Sequence, residues 1–133
     1  GPGFEGPALK EVRSQRGGAA RKSGRRAEVW AALALMLKGY RILGFRLRTP
    51  QGEIDLLALK GRILAVCEVK SRTTPEAALE AVRIDQRERL RRAGAQLAAN
   101  RPALKGVTVR LDLVALSPGK WPRHIPDAWP DGY

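Results

Sequence analysis

The chain has 133 residues, of which 44% are hydrophobic, and 25 Lys and Arg against 13 Asp and Glu give it a formal net charge of +12. This length fits a single domain of about 100–200 residues, and the composition is typical of a globular protein rather than a disordered one. One Cys and one His exclude an intramolecular disulfide and a structural zinc site, so any catalysis must use carboxylate, Lys, Arg, Gln, Ser or Thr side chains.

The longest apolar run, residues 29–37, is much shorter than the roughly 20 residues that cross a bilayer. No cationic segment followed by an apolar stretch begins the chain, so we expect a cytoplasmic protein with no membrane segment. Gly1 and Pro2 are compatible with the remnant of a cleaved tag.

The composition divides the chain into three parts. Residues 1–23 are rich in Gly and basic residues and predict a flexible basic arm, and residues 1–26 together have a net charge of +5. Residues 24–117 form the predicted domain, and residues 118–133, rich in Pro and Trp, form a tail that we expect to pack on it. The positive charge favours nucleic acid as a partner, although a basic surface without a partner would have the same composition.

The first half of the predicted domain is one helix followed by three strands. Residues 25–38 predict a helix, because large apolar residues recur at helical spacing from Val29 to Tyr40. Residues 40–48 have strand character, and residues 49–52 indicate a turn. Two further strands, 53–59 and 62–71, are joined across Lys60 and Gly61 as a hairpin.

The second half is a helix and a strand. Apolar spacing predicts a helix that ends near Asn100, with Thr74 and Asp85 as alternative start sites. Residues 107–116 alternate as a strand does, and the Pro-rich tail predicts no regular structure. The order is therefore α-β-β-β-α-β.

A pair of carboxylates on the two hairpin strands is the strongest chemical signal. Alternation places Glu68 and Lys70 on one face of the third strand, and Asp55 interrupts an otherwise apolar second strand. A hairpin about Lys60 and Gly61 pairs Asp55 with position 66, one step from Glu68, within reach of a shared cation. The alternative is a buried ion pair with Lys70, because unpartnered charges on apolar strands are costly.

Each helix adds a polar residue near its apolar stripe. Glu28 lies in the first turn of the first helix, where the helix dipole also explains a carboxylate. Gln86 lies on the stripe of the second helix, where a polar group requires a partner.

Several motifs resemble the bacterial YraN (UPF0102) family over roughly residues 24–127. That family is itself similar to the restriction-endonuclease-like PD-(D/E)xK nucleases and the archaeal Holliday junction resolvases. The resemblance implies an α/β fold with a restriction-endonuclease-like core, in which helices flank a central mixed sheet. The matching motifs are Gly39-Tyr40-Arg41-Ile42-Leu43, Gly52-Glu53-Ile54-Asp55-Leu56, Glu68-Val69-Lys70-Ser71-Arg72 and Arg110-Leu111-Asp112-Leu113-Val114.

The resemblance implies metal-dependent hydrolysis of phosphodiester bonds. Asp55, Glu68 and the Val69 carbonyl would bind Mg²⁺ or Mn²⁺, and Lys70 would orient the attacking water or stabilise charge on the phosphate. Glu28 would complete the outer metal shell or bind a second metal. Gln86 stands where many relatives have Lys, and would hydrogen-bond water or phosphate.

We therefore expect a DNA endonuclease, selective for branched or single-stranded substrates, and the resemblance is compatible with a homodimer. A non-catalytic nucleic-acid-binding protein with the same fold, or a partner protein in a DNA-processing complex, are the alternatives. Trp121 and Trp129 are interpreted as covers for the sheet edge rather than base-stacking residues. Phosphate contacts are expected from residues at the end of the third strand, on the outer side of the second helix and before the first helix: Ser71, Arg72, Arg83, Arg87, Arg91, Arg25 and Arg26.

Overall fold

A five-stranded mixed sheet with helices on both faces forms the centre of the protein, in a computed structural model that describes residues 25–130. The arm predicted for residues 1–23 lies outside the described residues. No helix within residues 25–130 has the length and apolar character needed to span a membrane. In chain order the elements are α1 (25–37), β1 (Arg41–Thr49), β2 (Gly52–Lys60), β3 (Ile63–Ser71), α2 (Pro75–Glu80), α3 (Ile84–Asn100), a 3₁₀ turn (Pro102–Leu104), β4 (Thr108–Leu116) and β5 (Arg123–Ile125).

The strands lie side by side in the order β1-β2-β3-β4-β5. The β1–β2 and β2–β3 pairs are antiparallel hairpins, β3 and β4 are parallel, and β5 returns antiparallel to β4. The parallel pair requires the crossover that α2 and α3 supply. The α/β class and the α-β-β-β-α-β order predicted from sequence are confirmed.

The crossover contains two helices where the sequence predicted one with two alternative starts. Thr74 caps α2, because its Oγ1 accepts a hydrogen bond of 3.1 Å from the Ala77 N–H. Arg83, in extended conformation, precedes α3. Asp85 lies in the first turn of α3 and not at its cap, so the capping box suggested for it is not formed.

The C-terminal tail contributes a strand, which the sequence did not predict. Four prolines argued against regular structure, but residues 123–125 contain none, and they pair with β4 from Leu113 to Ala115. Trp129 is buried in the core that faces α3, and its indole N–H donates to the Leu79 carbonyl at 3.2 Å.

The buried face of α1 is the one that carries alanines. Ala31, Ala32 and Leu35 pack against the sheet, which brings the helix close to the strands because these side chains are mostly small. The large apolar residues whose spacing predicted the helix are exposed instead: Val29, Leu33, Met36 and Leu37.

A buried ionic cluster fastens β5 to the sheet. The fully buried Asp112 carboxylate accepts two hydrogen bonds of 2.8 Å from Arg110 and one of 2.8 Å from Nε2 of His124. The Asp127 backbone N–H adds a fourth at 3.0 Å. Burial raises the pKa of Asp112, but these hydrogen bonds outweigh it and hold the pKa below its usual value. Asp112 and His124 therefore have a structural role in this cluster.

Candidate active site

The β2–β3 register, continued by one pair beyond Leu56 and Cys67, places Asp55 opposite Glu68. Pairing of Lys60 with Ile63 and of Leu56 with Cys67 shows that Gly61 and Arg62 form the turn. The predicted turn at Lys60 and Gly61 was wrong by one position, and the partner of Asp55 shifts from position 66 to 68. Gly61 has a φ of +59°, a conformation that glycine adopts without steric cost. The corrected register brings the two carboxylates closer than the sequence predicted.

Two hydrogen bonds fix the orientation of this carboxylate pair. The Val69 backbone N–H donates to Oδ2 of Asp55 at 2.9 Å. From the facing helix α3, Nε2 of Gln86 donates to Oε2 of Glu68 at 2.5 Å. Gln86, which needed a partner on its apolar stripe, thus has one, and α3 is tied directly to the centre of the site.

Burial and proximity oppose the simultaneous ionisation of the two carboxyl groups. Glu68 is only 3% exposed. Its burial and the adjacent Asp55 raise the pKa of Glu68 to about 9, and the positive charge of Lys70 only partly opposes this increase. Without a bound cation, burial and the facing Asp55 therefore favour the protonated form of Glu68.

Lys70 extends from the same strand face as Glu68 but is not paired with either carboxylate. Among residues 25–130, the ion pairs within 4.0 Å include neither Asp55 nor Glu68. The half-buried Lys70 acts on Glu68 only through its longer-range field. The geometry therefore does not support the alternative of a buried Lys70 ion pair.

Glu28 reaches the edge of the site from α1, where Arg46 binds it. Nε of Arg46 donates to both carboxylate oxygens, at 2.9 and 3.0 Å. Burial raises the pKa of Glu28, Arg46 opposes the increase, and the fields of Asp55 and Glu53 add to it. Glu28 is thus close enough to sense Asp55 but is held by a guanidinium.

Arg46 is a site residue that sequence reasoning missed. Its φ of +48° lies in the left-handed region that non-glycine residues rarely adopt. It falls in the β1–β2 register between the Phe45–Leu56 and Leu47–Ile54 pairs. The one signal in the sequence was an Arg amid the apolar residues of a strand, which alternation alone explains as a solvent-facing side chain.

Two carboxylates, not three, are available to a cation here. Within the described part of the chain, no group of three or more His, Cys, Asp and Glu side chains is arranged to hold a metal ion. Asp55 and Glu68 still offer oxygen donors from adjacent strands, which suit Mg²⁺ because it retains waters and takes only one or two carboxylates.

Five of the seven residues predicted to contact phosphate are exposed, at three places on the surface. Ser71 and Arg72 follow Lys70 and line a cavity of about 610 Å³ at the end of β3. Arg25 and Arg26 are exposed at the start of the described part of α1, one turn from Glu28. Arg83 is exposed beside α3, with Asp85 at 3.6 Å.

Arg87 and Arg91 do not lie on the outer side of the second helix as predicted. Arg87 is 8% exposed, donates to the Val82 carbonyl at 2.9 Å and stacks over the Trp129 ring at 4.9 Å. Arg91 donates to the Trp129 carbonyl at 3.0 Å. Both arginines lie on the side of α3 that faces Trp129, so they hold the tail against this helix.

The fold and the site together define an α/β protein with a carboxylate pair on two adjacent strands of a mixed sheet. The family model described as "Uncharacterised protein family UPF0102" matches residues 27–116. The chain belongs to this family, and the resemblance to YraN is confirmed.

Curated relatives match most of the chain. A UPF0102 protein of Caulobacter vibrioides (strain NA1000 / CB15N) is 69% identical over 118 residues, covering 89% of this chain and 94% of the relative. One from Caulobacter sp. (strain K31) is 66% identical over 125 residues, with 94% and 90% covered. One from Parvibaculum lavamentivorans is 46% identical over 126 residues, with 95% of each covered.

Proposed function

We propose that the protein is a metal-dependent nuclease that hydrolyses phosphodiester bonds in DNA. The observation that carries this proposal is the Asp55–Glu68 pair, in which two carboxylates face each other and burial makes their joint ionisation costly. Such a pair requires either a proton or a cation. The position of Gln86, bonded to Glu68 from the opposite layer, shows that the carboxylates are held in a defined orientation.

The donor set fits Mg²⁺ or Mn²⁺. The Asp55 and Glu68 side chains and the Val69 carbonyl would hold the ion, with waters and substrate phosphate as the other ligands. When bound, such an ion polarises a phosphate oxygen and lowers the pKa of a bound water.

The neighbouring residues have separate roles in this proposal. Lys70 supplies a positive charge on the same strand face, where it orients the attacking water or stabilises charge that develops on the phosphate. Gln86 keeps the Glu68 carboxylate in position. Arg46 neutralises Glu28 and so lowers the net negative charge that a substrate phosphate meets.

The charge of the chain supports a nucleic acid as the substrate. A net charge of +12 attracts a polyanion and makes the affinity of the protein for nucleic acid salt-dependent. Ser71 and Arg72 lie directly after the Lys70 strand position, where a phosphate bound at the carboxylates would have its neighbours.

The test is a cleavage assay on labelled single strands, flaps, four-way junctions and duplex, with Mn²⁺ or with EDTA. We expect nicking with Mn²⁺ that Asp55→Asn and Glu68→Ala abolish, while DNA binding persists. Glu53→Gln removes an exposed carboxylate from the same strand as Asp55 and serves as the matched control, with activity retained. No cleavage of any substrate by the wild-type protein would overturn the enzyme proposal.

A non-catalytic nucleic-acid-binding protein is the second candidate. It is favoured by the Arg46–Glu28 contact, which leaves the third carboxylate of the region engaged. This candidate predicts salt-sensitive DNA binding that is indifferent to EDTA and to Asp55→Asn, without cleavage under any condition.

A further inference from the structure

Two exposed tryptophans meet on the surface beside α1. The side chains of Trp30 and Trp121 are 49% and 55% exposed, and their rings contact edge to face, with centroids 5.8 Å apart at 83°. Trp121, predicted to cover the sheet edge, is largely exposed, and its ring contacts Trp30 of α1. Together with Lys120, they line a cavity of about 370 Å³.

This cavity adjoins the one at the end of β3. It shares Leu116 and Ser117 with the cavity of about 610 Å³ that Ser71 and Arg72 line. Ser71 pairs with Leu116 because β3 and β4 are parallel and end together. The two cavities therefore form one surface across the ends of β3 and β4, which begins at Ser71, the residue after Lys70, and ends at the two tryptophans.

The chemistry of this surface favours unpaired nucleotides over duplex. Arg72 and Lys120 are the charged side chains among the described residues that line the two cavities, and both are basic. Phosphates suit such cations, and an exposed indole face suits a base that is free to leave its stack. In a duplex the base faces are covered by their neighbours, so the tryptophans would have nothing to stack on.

We propose that Trp30, Trp121, Lys120 and Arg72 form a binding track for an unpaired segment of nucleic acid across the ends of β3 and β4, which begins one residue beyond Lys70. The track names the substrate class for the proposed nuclease and in that respect rests on the proposed function. One base stacks on the tryptophan pair, and the phosphates that follow it contact Lys120 and Arg72.

Fluorescence anisotropy of labelled 12-nucleotide single strands, DNA and RNA, and of a 12-base-pair duplex, tests the track in EDTA. We expect Trp30→Leu and Trp121→Leu each to weaken single-strand binding by roughly 5- to 100-fold, the range for the loss of one stacked base. Duplex affinity should change less than twofold. Phe45→Leu removes an exposed aromatic ring from β1, outside both cavities, and is the control, with unchanged binding.

A second readout is the intrinsic tryptophan fluorescence of the unlabelled protein. A single strand should quench tryptophan fluorescence in the wild type, and quenching should fall in Trp121→Leu, since the buried Trp129 remains in both proteins. Equal losses for single strand and duplex, or unchanged single-strand affinity in both variants, would overturn the proposal. So would a change from dimer to monomer in the Trp variants by light scattering without an effect on binding, which would make the surface a contact between two copies. Because binding is measured in EDTA, failure of the track is distinguished from absence of cleavage.

Discussion

Replacing Glu68 by Gln should change how the stability of the metal-free protein depends on pH. The folded protein holds the Glu68 proton up to a pKa of about 9, whereas an unperturbed Glu side chain releases it near 4.5. Between these values, unfolding releases a proton, so the free energy of unfolding decreases as pH rises and levels off above about 9. Gln cannot titrate and, like a protonated carboxyl group, can donate a hydrogen bond to the facing Asp55.

The two pKa values determine the magnitude. Between the two pKa values, each pH unit lowers the free energy of unfolding by about 1.4 kcal/mol. Titration of Glu68 therefore makes the folded protein about 3 kcal/mol less stable at pH 7 than at pH 4.5. That is a large share of the roughly 5–15 kcal/mol that stabilises a typical domain. The stability difference between Glu68→Gln and wild type should therefore grow in favour of the variant by about 3 kcal/mol from pH 4.5 to pH 7.

Urea denaturation in EDTA at pH 4.5, 6, 7 and 8 measures this difference. Glu53→Gln is the control, since Glu53 is exposed on the same strand as Asp55. The free energy of unfolding of this variant should follow pH in parallel with that of the wild type. Parallel curves for Glu68→Gln and wild type would refute the argument that the buried carboxylate pair is strained.

The same experiment with Mn²⁺ links stability to the proposed metal. A bound cation takes the place of the proton, so Mn²⁺ should stabilise the wild-type protein more at pH 8 than at pH 6 and should release about one proton. Glu68→Gln should show little stabilisation. Equal stabilisation of both proteins would place the bound Mn²⁺ elsewhere.

Two further predictions concern the framework around the site. Arg110→Leu leaves the fully buried Asp112 without its guanidinium and should lower the free energy of unfolding by about 3–5 kcal/mol in urea denaturation at pH 7. A decrease below about 1 kcal/mol would contradict this. In the wild type, the stability that Asp112 contributes should decline as the pH drops below 3.8 toward the lowered pKa of this carboxyl. Gly94→Ala places a Cβ 2.6 Å from Cγ2 of Val66. It should lower the free energy of unfolding by about 1–2 kcal/mol, because the cost of overpacking exceeds the gain in helix propensity. A thermal midpoint at or above that of the wild type would show that α3 can move away from the sheet.

The burial of α1 shows where sequence periodicity is ambiguous. Both faces of this helix are apolar, one with large side chains from Val29 to Leu37 and one with alanines. Hydrophobicity favours the large face for the core, but a helix lying flat on a sheet packs closer through small residues, and Ala31 and Ala32 are the ones buried. Only the neighbouring sheet decides between the two faces.

The strand register shows how much one turn residue controls. Alternation correctly placed Glu68 and Lys70 on one face, since side-chain direction in a strand depends only on local geometry. The partner of Asp55 depended on the exact turn, and a shift of the turn by one residue moves the pairing by two. The contact between Arg46 and Glu28, 18 positions apart, had no local signal at all.

The sequence by itself determined the element order, the strand faces and the types of residue available for chemistry, because these depend on the spacing of neighbours along the chain. It also identified Asp55, Glu68 and Gln86 as polar residues in apolar surroundings that required partners. Only the tertiary structure decided which partners they have, that Arg46 holds Glu28, that Arg87 is buried and that Trp30 and Trp121 meet on the surface. These contacts join residues that are distant in sequence, so they follow from the packing of whole elements and not from any local pattern.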